Sequence, residues 1–464
     1  MAYFVTTDSG GRVLATGKDR GAEFLTRSLS NGMIDTTFNG AGYLRGIINV
    51  PNSDGRLIVG HTGLWVTNTV GGQVLAARMN SAQCSPDLCR FITPTIQLRR
   101  LNLDGSTVSA ANADIAATTG IDESMQVVED SRGGFLFVTQ SRGLVFSESV
   151  LTRIGADGLR DAAFKPGTCP SLNKVAGSFG GTTRALPLAD GRTIFAHEIY
   201  FSTITPNPNH LCISRVNADG TPDKTFALDG DLIFDSILSS AAEHRPVAMF
   251  ATANGGSALL LQQTIRRSEL NGAVEQRYLI VWLTAQGALD TARADRGITG
   301  PTEQPIAQVV AATMQRDGKF VIVGYPGTAT PGPNLDYFDL SQPRVARLTS
   351  QGGIDFTFGA GGRGFVLLVT SGKRLIPKQL HVALDGGIFI AGGTVDSSAV
   401  ASNGEPAQFA VGKLQADPPP IQPIVAPSSG GGCGMTADAR IDPVLPGLAM
   451  LGLLSLWIRR RAKL

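Results

Sequence analysis

The stretch ISRVNADGTPDKTF, residues 213–226, decides the fold, because its pattern returns along the chain. A short apolar run containing an arginine leads into a turn glycine, an aspartate follows three positions later, and a phenylalanine ends the motif. Further copies are LTRSLSNGMIDTTF (25–38), LTRIGADGLRDAAF (151–164) and VARLTSQGGIDFTF (345–358), with weaker ones at 98–111 and 281–294. A motif that recurs in this way indicates a repeat architecture.

A second motif alternates with the first, as in QRDGKFVIVGY (315–325). Its turn glycines lie 58–68 residues apart, at Gly11, Gly72, Gly133, Gly191, Gly255, Gly318 and Gly386. The D-G, N-G and G-G dipeptides favour hairpins, because these turns need a positive φ. About four short strands in each such unit are typical of a propeller blade. We therefore predict that residues 1–417 form an all-β propeller of about seven four-stranded blades.

Composition limits the classes of function. The 464 residues carry 40 Lys+Arg against 38 Asp+Glu, a net charge of +2, and no long run of one sign outside the C-terminus. This balance does not support binding to nucleic acid. The 56 glycines suit an all-β chain with many tight turns.

The repeated charged residues allow two interpretations. A ring of arginines could hold an anionic ligand, or each arginine could pair with a nearby aspartate or carbonyl while the aspartate caps its own turn. We favour the second, because repeated residues usually carry repeated structure. The phenylalanines should wedge between adjacent blades. These structural repeat residues are Arg27, Asp35, Phe38, Arg153, Asp161, Phe164, Arg215, Asp223, Phe226, Arg347, Asp355 and Phe358.

One unit departs from this pattern. Trp282 occupies its arginine position and Arg293 its phenylalanine position. Because the wedge phenylalanine is absent, we expect a weaker blade there.

The pairing of QRDGKFVIVGY with VARLTSQGGIDFTFGAGG resembles the delta-60 repeat, a bacterial propeller unit found in many secreted or surface proteins. The resemblance spans roughly residues 3–417. It implies a propeller in an extracellular setting and maps no catalytic residue onto this chain.

Motifs that would carry chemistry are few. GAGGRG (359–364) matches G-x-G-x-x-G but leads into FVLLVT, a predicted strand, so we reject a dinucleotide site. His197-Glu198 lacks the second histidine of a zinc-protease helix. The aspartates of LDGDLIFD (228–235) could bind Ca²⁺, although a solvated turn is the better reading. We predict no catalytic residue, no metal site and no cofactor.

The cysteines suggest export. Cys84 and Cys89 lie in a predicted loop insertion that a short-range disulfide would staple, and Cys169 and Cys212 in neighbouring units could form a second bridge. Cys433 would remain unpaired. The alternative is a set of reduced thiols in a cytosolic protein.

The C-terminus has three parts. A Pro/Gly/Ser-rich linker at 418–432 is followed by a polar segment and an apolar stretch at about 444–458. The apolar stretch is short for a membrane span of about 20 residues, but arginine side chains at its end can extend it. The basic end would stay cytoplasmic and leave the propeller on the other side. An amphipathic core helix is the alternative.

Residues 433–464 resemble the C-terminal sorting signals of exported Gram-negative proteins, in particular the JDVT-CTERM type. The matching residues are Cys433, Ile441, Asp442, Pro443, Leu445, Pro446, Arg459, Arg460 and Arg461. The resemblance implies an intramembrane sorting protease as partner, Cys433 as the processing or attachment point, and a transmembrane helix followed by display at the cell envelope or surface.

The N-terminus carries no recognisable secretory signal peptide, since MAYFVTTDSGG lacks a basic region followed by an apolar one. In this pattern the first unit begins at SGGRVLATG. We therefore expect a chain that is N-terminally short, with a first blade that is incomplete or closed by a strand from the last unit.

These features favour an exported propeller that binds a protein or glycan through loops such as 81–95 and 328–343. The rival is a secreted polysaccharide hydrolase or lyase, which would need acidic or histidine side chains from different blades within about 5–10 Å. A purely structural envelope role is the third alternative.

Overall fold

The computed structural model describes residues 2–414. It leaves out 9, 20–21, 46–64, 69–72, 86–87, 115–125, 143–146, 165, 167–177, 202–209, 228, 235–241, 268–272, 301–303, 328–342, 371–372 and 397–407. The linker and the predicted transmembrane helix therefore lie outside the described residues. Within the described part of the chain, no helix has the length and apolar character needed to cross a membrane.

The described residues form seven antiparallel sheets, which are the blades of a β-propeller. Blades 1 and 2 contain β1 (Ala2–Thr7), β2 (Val13–Asp19), β3 (Ala22–Ser28), β4 (Tyr43–Arg45), β5 (Trp65–Asn68), β6 (Val74–Ser85), β7 (Leu88–Leu101) and β8 (Thr107–Asp114). Blades 3 and 4 contain β9 (Gln126–Glu129), β10 (Phe135–Arg142), β11 (Ser147–Ile154), β12 (Ser178–Pro187), β13 (Thr193–Phe201), β14 (His210–Val216) and β15 (Asp231–Ile233).

Blades 5 and 6 contain β16 (Ala242–Ala251), β17 (Ser257–Arg267), β18 (Ala273–Leu283), β19 (Ile298–Thr299), β20 (Gln308–Met314), β21 (Phe320–Tyr325), β22 (Arg344–Leu348) and β23 (Phe365–Leu367). A 3-10 turn at Asp295–Gly297 precedes β19. Blade 7 contains β24 (Val369–Thr370), β25 (Lys373–Val382), β26 (Ile388–Asp396) and β27 (Gln408–Leu414). The prediction of an all-β propeller with seven blades is confirmed. Every sheet has four strands except that of blade 3, where the described residues form three.

The connections between strands lie at the two ends of each blade. Glycines with positive φ close the turns between the first and second strands, as Gly191 does at φ 89° and Gly255 at φ 79°. We call the propeller face that carries these turns the turn face. The connections between second and third strands, and those between blades, lie at the opposite ends of the strands, on what we call the loop face.

The apolar core is divided among the blade interfaces. Seven buried clusters occur in the described residues, and each joins two consecutive blades. For example, Leu75 and Ile96 of blade 2 pack against Phe135 and Phe137 of blade 3. A blade therefore buries its two faces only when both neighbours are present, as expected of a repeat fold.

The ring closes between blades 7 and 1. Val5 of β1 packs with Phe389 and Ala391 of blade 7. The Val5 N–H donates to the Gln379 side-chain oxygen at 2.8 Å, and the Thr7 hydroxyl lies 2.9 Å from His381 Nε2. Side chains of the inner strands thus hold the two end blades together.

The expectation that the first blade is incomplete, or is closed by a strand from the last unit, was wrong. Residues 2–7 form β1, which pairs with β2 and supplies the inner strand of blade 1. The strand is short, and Thr6 and Thr7 lead directly into the turn, so the apolar signal of Phe4 and Val5 was easily missed.

The repeat phenylalanines lie at these interfaces. Phe38, Phe164, Phe226 and Phe358 are all buried and belong to clusters that join their own blade to the next. Phe226 reaches Gly287 of blade 5, where a Cβ would lie only 2.6 Å from its ring. Glycine is therefore required there both for its φ of 81° and for the approach of the ring.

Candidate functional site

The repeat arginines lie on the turn face and are paired. In blades 1, 4 and 6, the arginine Nε donates to an aspartate Oδ2 at 2.8 Å, in the pairs Arg27–Asp35, Arg215–Asp223 and Arg347–Asp355. Each guanidinium also stacks 4.8–5.0 Å from the ring centre of the repeat phenylalanine. The three side chains of the motif therefore form one buried unit.

The aspartates also stabilise their own turns. Asp223 Oδ1 accepts hydrogen bonds from the Thr225 N–H at 3.0 Å and from the Thr225 hydroxyl at 2.6 Å. Its Oδ2 accepts from Arg192 Nη1 at 2.9 Å as well as from Arg215. Burial alone would raise the pKa of Asp223, but the hydrogen bonds from Thr225 and the charges of Arg192 and Arg215 hold it far below its usual value.

In blade 3 the repeat arginine is also paired, but with two aspartates. Glycine occupies the position of Arg192 there, at Gly134, and Arg153 donates to both Asp130 at 2.6 Å and Asp161 at 2.8 Å. A Cβ on Gly134 would lie 2.8 Å from the Arg153 guanidinium, which explains the glycine.

In blade 5 the motif is inverted. Trp282 and Arg293 exchange the aromatic and cationic positions, and the Arg293 guanidinium still lies 4.9 Å from the centre of the Trp282 ring. Trp282 Nε1 donates to Thr299 at 2.9 Å, and Arg293 lies 3.7 Å from Asp290. The contact expected to be missing from this blade is present in reversed order.

Because the repeat arginines are paired internally, the turn face offers no ring of free cations in the blades described above. Two further arginines, Arg184 and Arg277, lie where blades 4 and 5 meet.

Blade 4 contributes Arg184 and Glu198 to this seam. Arg184 lies opposite Ala196, and Glu198 follows Ala196 by two residues, so both side chains share the side of the blade that packs on blade 5. Arg184 Nε donates to the Val247 carbonyl of blade 5 at 2.7 Å. Glu198 accepts from the Thr182 N–H at 3.1 Å.

Blade 5 contributes His244, Gln263 and Arg277. These residues lie opposite one another in neighbouring strands, and Gln263 continues the face of Leu259 and Leu261, which packs on blade 4. Gln263 Nε2 lies 2.7 Å from His244 Nε2, and Arg277 Nε donates to Gln263 Oε1. Burial and the Arg277 charge lower the pKa of His244 to about 4, so it is neutral at pH 7.

Arg245 is exposed on β16 and belongs to the other side of blade 5. It lies opposite Gln262, whose side chain bonds the Ala307 carbonyl and the Val309 N–H at the border with blade 6. Burial lowers the pKa of Arg184 to about 10; the Arg245 charge lowers it further and Glu198 opposes the shift. We call Arg184, Glu198, His244, Gln263 and Arg277 the seam cluster.

The seam cluster combines cations with neutral hydrogen-bonding groups. Within the described residues, neither Arg184 nor Arg277 forms an ion pair, in contrast to Arg27, Arg215 and Arg347 on the turn face. Guanidinium groups bind carboxylate or sulfate oxygens, while an amide and a neutral imidazole bind hydroxyl groups. Such a set of side chains is suited to a polar ligand that carries negative charge.

A small cavity lies on the other side of the ring. Its volume is about 150 Å³, and Val5, Val66, Val127, Thr6, Gln379 and His381 contribute to its wall. Gln379 and His381 already bond to β1 across the closing seam. The volume suits a few water molecules, so we assign the cavity to the ring closure.

The structure also describes the glycine-rich segment and two of the aspartates that the sequence singled out. Gly359–Gly364 precede β23, a strand, so no helix N-terminus follows them. Asp229 lies in a turn at φ 58°, and Asp231 is buried in β15. In the described part of the chain, no three His, Cys, Asp or Glu side chains are placed to hold a metal ion.

The cysteines are only partly within the described residues. The backbone register places Cys84 directly opposite Cys89 in the β6–β7 hairpin, and Cys212 is buried in β14. Cys169, Cys433 and the sorting residues from Ile441 to Arg461 lie outside the described residues. Both disulfides and the sorting signal stay predictions.

The sequence did not identify the seam cluster. Arg184 and Arg277 are about 90 residues apart and lie outside the repeated motifs. A weak signal was present in ALLLQQ (258–263), where Gln263 continues the alternation of Leu259 and Leu261 and so places a polar group on an interface side.

No family model matches the chain, and no curated protein matches it. Among solved structures, the polysaccharide lyase Uly1 is similar, with 12% identity, a TM-score of 0.50 and coverage of 88% of each chain. A puromycin-hydrolysing peptidase of Mycobacterium tuberculosis shares 11% identity at a TM-score of 0.49, with 89% of this chain and 52% of that chain covered. An α-L-arabinanase of Penicillium chrysogenum shares 12% identity at a TM-score of 0.40, with 76% and 92% covered. At 12% identity, the likeness to the lyase shows the β-propeller fold alone.

Proposed function

We propose that this protein is a glycan-binding propeller of the cell envelope, and that its ligand binds at the loop face over the seam cluster. The observation that carries the proposal is the pair of arginines, Arg184 and Arg277, beside a neutral histidine and a glutamine. On the turn face, Arg27, Arg215 and Arg347 are instead buried and paired with aspartates.

The ligand class follows from the chemistry of these groups. Sugars present many hydroxyls, which suit Gln263 and His244, and many envelope and matrix polysaccharides also carry charged groups, which suit the arginines. The solved propeller with a TM-score of 0.50 is a polysaccharide lyase. We extend only the ligand class to this chain, and as part of the proposal.

The proposal is tested with the full-length protein in mild detergent and a panel of immobilised neutral and acidic polysaccharides. We expect saturable binding to at least one of them. The matched variants are Arg277→Ala, in the seam cluster, and Arg316→Ala, which replaces an exposed arginine on the turn face. Binding should weaken with the first and persist with the second. Failure of every polysaccharide to bind would reject the function, and shortening of a bound polymer would replace binding with catalysis.

We also propose that the chain reaches the envelope by the route that its tail resembles. In this proposal the repeats are of the delta-60 type, residues 433–464 are a JDVT-CTERM-type signal, and an intramembrane protease processes the chain near Cys433. The bridges Cys84–Cys89 and Cys169–Cys212 would then form outside the cytosol.

Intact mass of the protein from its native host tests this route. We expect a membrane-derived product that ends near Cys433, lacks Arg459–Arg461, and is lighter by the four hydrogens that two disulfides remove. A full-length cytosolic product with reduced cysteines would be the opposite result and would exclude the display proposal without bearing on glycan binding.

A further inference from the structure

Blade 2 departs from the repeat motif in its own way. Val108 and Ala111 stand at the positions of the aspartate and the phenylalanine, while Arg100 keeps the position of the arginine. The long turn that carries those two residues in other blades is also shortened, since β8 begins two residues after Gly105, whereas β15 of blade 4 begins eleven residues after Gly220. Arg100 therefore lacks the carboxylate that its counterparts in blades 1, 3, 4 and 6 bind.

Arg100 lies at the border between blades 2 and 3 without an ion pair. It is opposite Leu75 and Ser109 in the sheet, on the side that packs on blade 3. Its guanidinium lies 5.6 Å from the centre of the Phe135 ring. Within the described residues none of its side-chain nitrogens forms a hydrogen bond or an ion pair, and Nη2 is buried. A buried N–H without an acceptor destabilises the protein, so an acceptor that reached Nη2 would be bound favourably.

The carboxylates of the adjoining elements do not supply that acceptor. Asp104 and Asp157 lie in the turns of blades 2 and 3, where each accepts a backbone N–H of its own turn. Asp130 is bound by the repeat arginine of blade 3. Glu129 of β9 has interactions of its own, but none of these four carboxylates forms an ion pair with Arg100. The guanidinium charge is thus unpaired within the described residues.

The space beside this guanidinium can receive a small group. A cavity of about 10 Å³ lies between Arg100, Ser109, Phe135, Gly155 and Gly158. Gly158 is the turn glycine of blade 3, and in blades 2 and 5 the corresponding glycine is covered by the phenylalanine of the preceding blade. Ser109 is exposed, so the cavity is reached from solvent. Its volume admits about one oxygen-sized group.

We propose that Arg100 binds the carboxylate group of a ligand at the turn face, in the place that the repeat aspartate takes in other blades. Those blades show the geometry of the contact, because each repeat arginine there donates from Nε to a carboxylate oxygen at 2.6–2.8 Å. One ligand oxygen enters the cavity and accepts from Nη2, and the Ser109 hydroxyl is a second donor beside it. This site is separate from the seam cluster and adds a second binding site to the proposed function.

The test uses the full-length protein in mild detergent and two pairs of small ligands. Glucuronate carries its carboxylate on a sugar, and the N-acetyl amide of aspartate carries one on an amino acid. Glucuronamide and the N-acetyl amide of asparagine are their neutral counterparts. Saturation-transfer NMR titrations measure the affinity of each ligand for wild type and three variants, and circular dichroism verifies that each variant is folded.

The variants separate recognition of the carboxylate from a change in the fold. Arg100→Gln removes the guanidinium, and Ser109→Asp places a carboxylate directly opposite Arg100 in the sheet, where it competes with the ligand. Arg99→Gln is the matched control, because this neighbouring arginine lies on the other side of the same strand.

We expect at least one carboxylate to bind wild type at least tenfold more tightly than its neutral amide. Arg100→Gln and Ser109→Asp should each weaken that binding at least tenfold, as expected for the loss of charge-assisted hydrogen bonds, and Arg99→Gln should leave it unchanged. Ser109→Asp should also raise the thermal midpoint, because it supplies the ion pair that blade 2 lacks. A preference for glucuronate or for the aspartate derivative identifies the source of the carboxylate.

Three results would overturn the inference. Absence of binding of both carboxylates would show that solvent alone satisfies Arg100. Equal binding of the carboxylates and their amides would remove the role of the charge. Carboxylate binding that persists in both Arg100→Gln and Ser109→Asp would place the site elsewhere. None of these results bears on glycan binding at the seam cluster, which the polysaccharide panel and Arg277→Ala test independently.

Discussion

Replacing Asp223 with alanine is expected to lower the free energy of unfolding by about 3–5 kcal/mol, because it leaves buried positive charge without its partner. Asp223 Oδ2 lies 2.8 Å from Arg215 Nε and 2.9 Å from Arg192 Nη1. The Arg215 side chain is 4% exposed, so water cannot replace the carboxylate. Urea denaturation at pH 7, followed by circular dichroism, measures the loss.

Asp190 provides the matched control. It pairs with the same Arg192, but its side chain is 48% exposed, so Asp190→Ala should cost about 1 kcal/mol or less. The double replacement Arg215→Met with Asp223→Leu should recover most of the lost stability, because apolar side chains need no partner charge. If Asp223→Ala and Asp190→Ala cost the same, the buried motif is not the stabilising unit that its geometry indicates.

The fold could be predicted because the signal is repeated. Turn glycines such as Gly191 and Gly255 need positive φ, and a spacing of 58–68 residues leaves room for one blade per unit. Because the copies can be compared, a substitution that obscures the motif in one of them does not hide the repeat. The first strand escaped prediction because only Phe4 and Val5 signal it, and no preceding turn marks where it begins.

The ion pair within a motif could also be predicted from the sequence, but the exchange of Trp282 and Arg293 in blade 5 could not. Arg215 and Asp223 are eight residues apart, and a tight turn brings them together. In blade 5, Arg293 replaces the repeat phenylalanine, and that change by itself predicts a weaker blade interface. The prediction does not take account of the second change, Trp282 at the arginine position. The structure shows that the two changes are coupled, since an aromatic ring and a guanidinium stack equally well from either position.

The seam cluster lay beyond sequence reasoning for a physical reason. Blades pack through side chains whose partners are set by blade order, and the ring brings Arg184 of one blade to the Val247 carbonyl of the following one. Neither residue belongs to a repeated motif, because a binding site on a propeller needs residues that differ among the blades. Repeated residues therefore indicate the blade structure, whereas the residues of a binding site lie at positions where the blades differ.

Acidification from pH 7 to pH 4 is expected to destabilise the propeller strongly. Burial lowers the pKa of His197, His244 and His381 to about 4, from an ordinary value of 6.5. His197 is 5% and His244 3% exposed, and His381 bonds to Thr7 across the closing seam. These are the histidines whose side chains the structure describes.

The sign follows from where each state binds protons. Between pH 6.5 and pH 4 the unfolded chain protonates these histidines and the folded chain does not. Stability is therefore complete above pH 6.5 and falls with pH by up to about 1.4 kcal/mol per unit for each histidine. Over this window each contributes a loss on the order of 3 kcal/mol, so three together rival the whole stability of an ordinary domain.

The aspartates affect the stability over a lower pH range than the histidines do. The pKa of Asp355 is lowered to about 2, since hydrogen bonds from Thr357 and the Arg347 charge outweigh the effect of burial, and that of Asp223 is lower still. Their contribution is present above pH 4 and is lost as the pH falls toward 2. A decline in stability between pH 6.5 and pH 4.5 therefore reports chiefly the histidines.

Urea midpoints measured at half-unit intervals from pH 7.5 to pH 4.5 test this, with His244→Gln and His381→Gln as variants. Each variant removes one titrating group, so its stability should depend on pH less steeply than that of wild type by about 1.4 kcal/mol per unit, even where its stability at pH 7 is lower. The slope separates titration from lost packing, because a packing defect shifts the curve without flattening it. A wild-type curve that is flat between pH 6.5 and pH 4.5 would show that the histidines titrate alike in both states, and hence that the blade interfaces admit water to them.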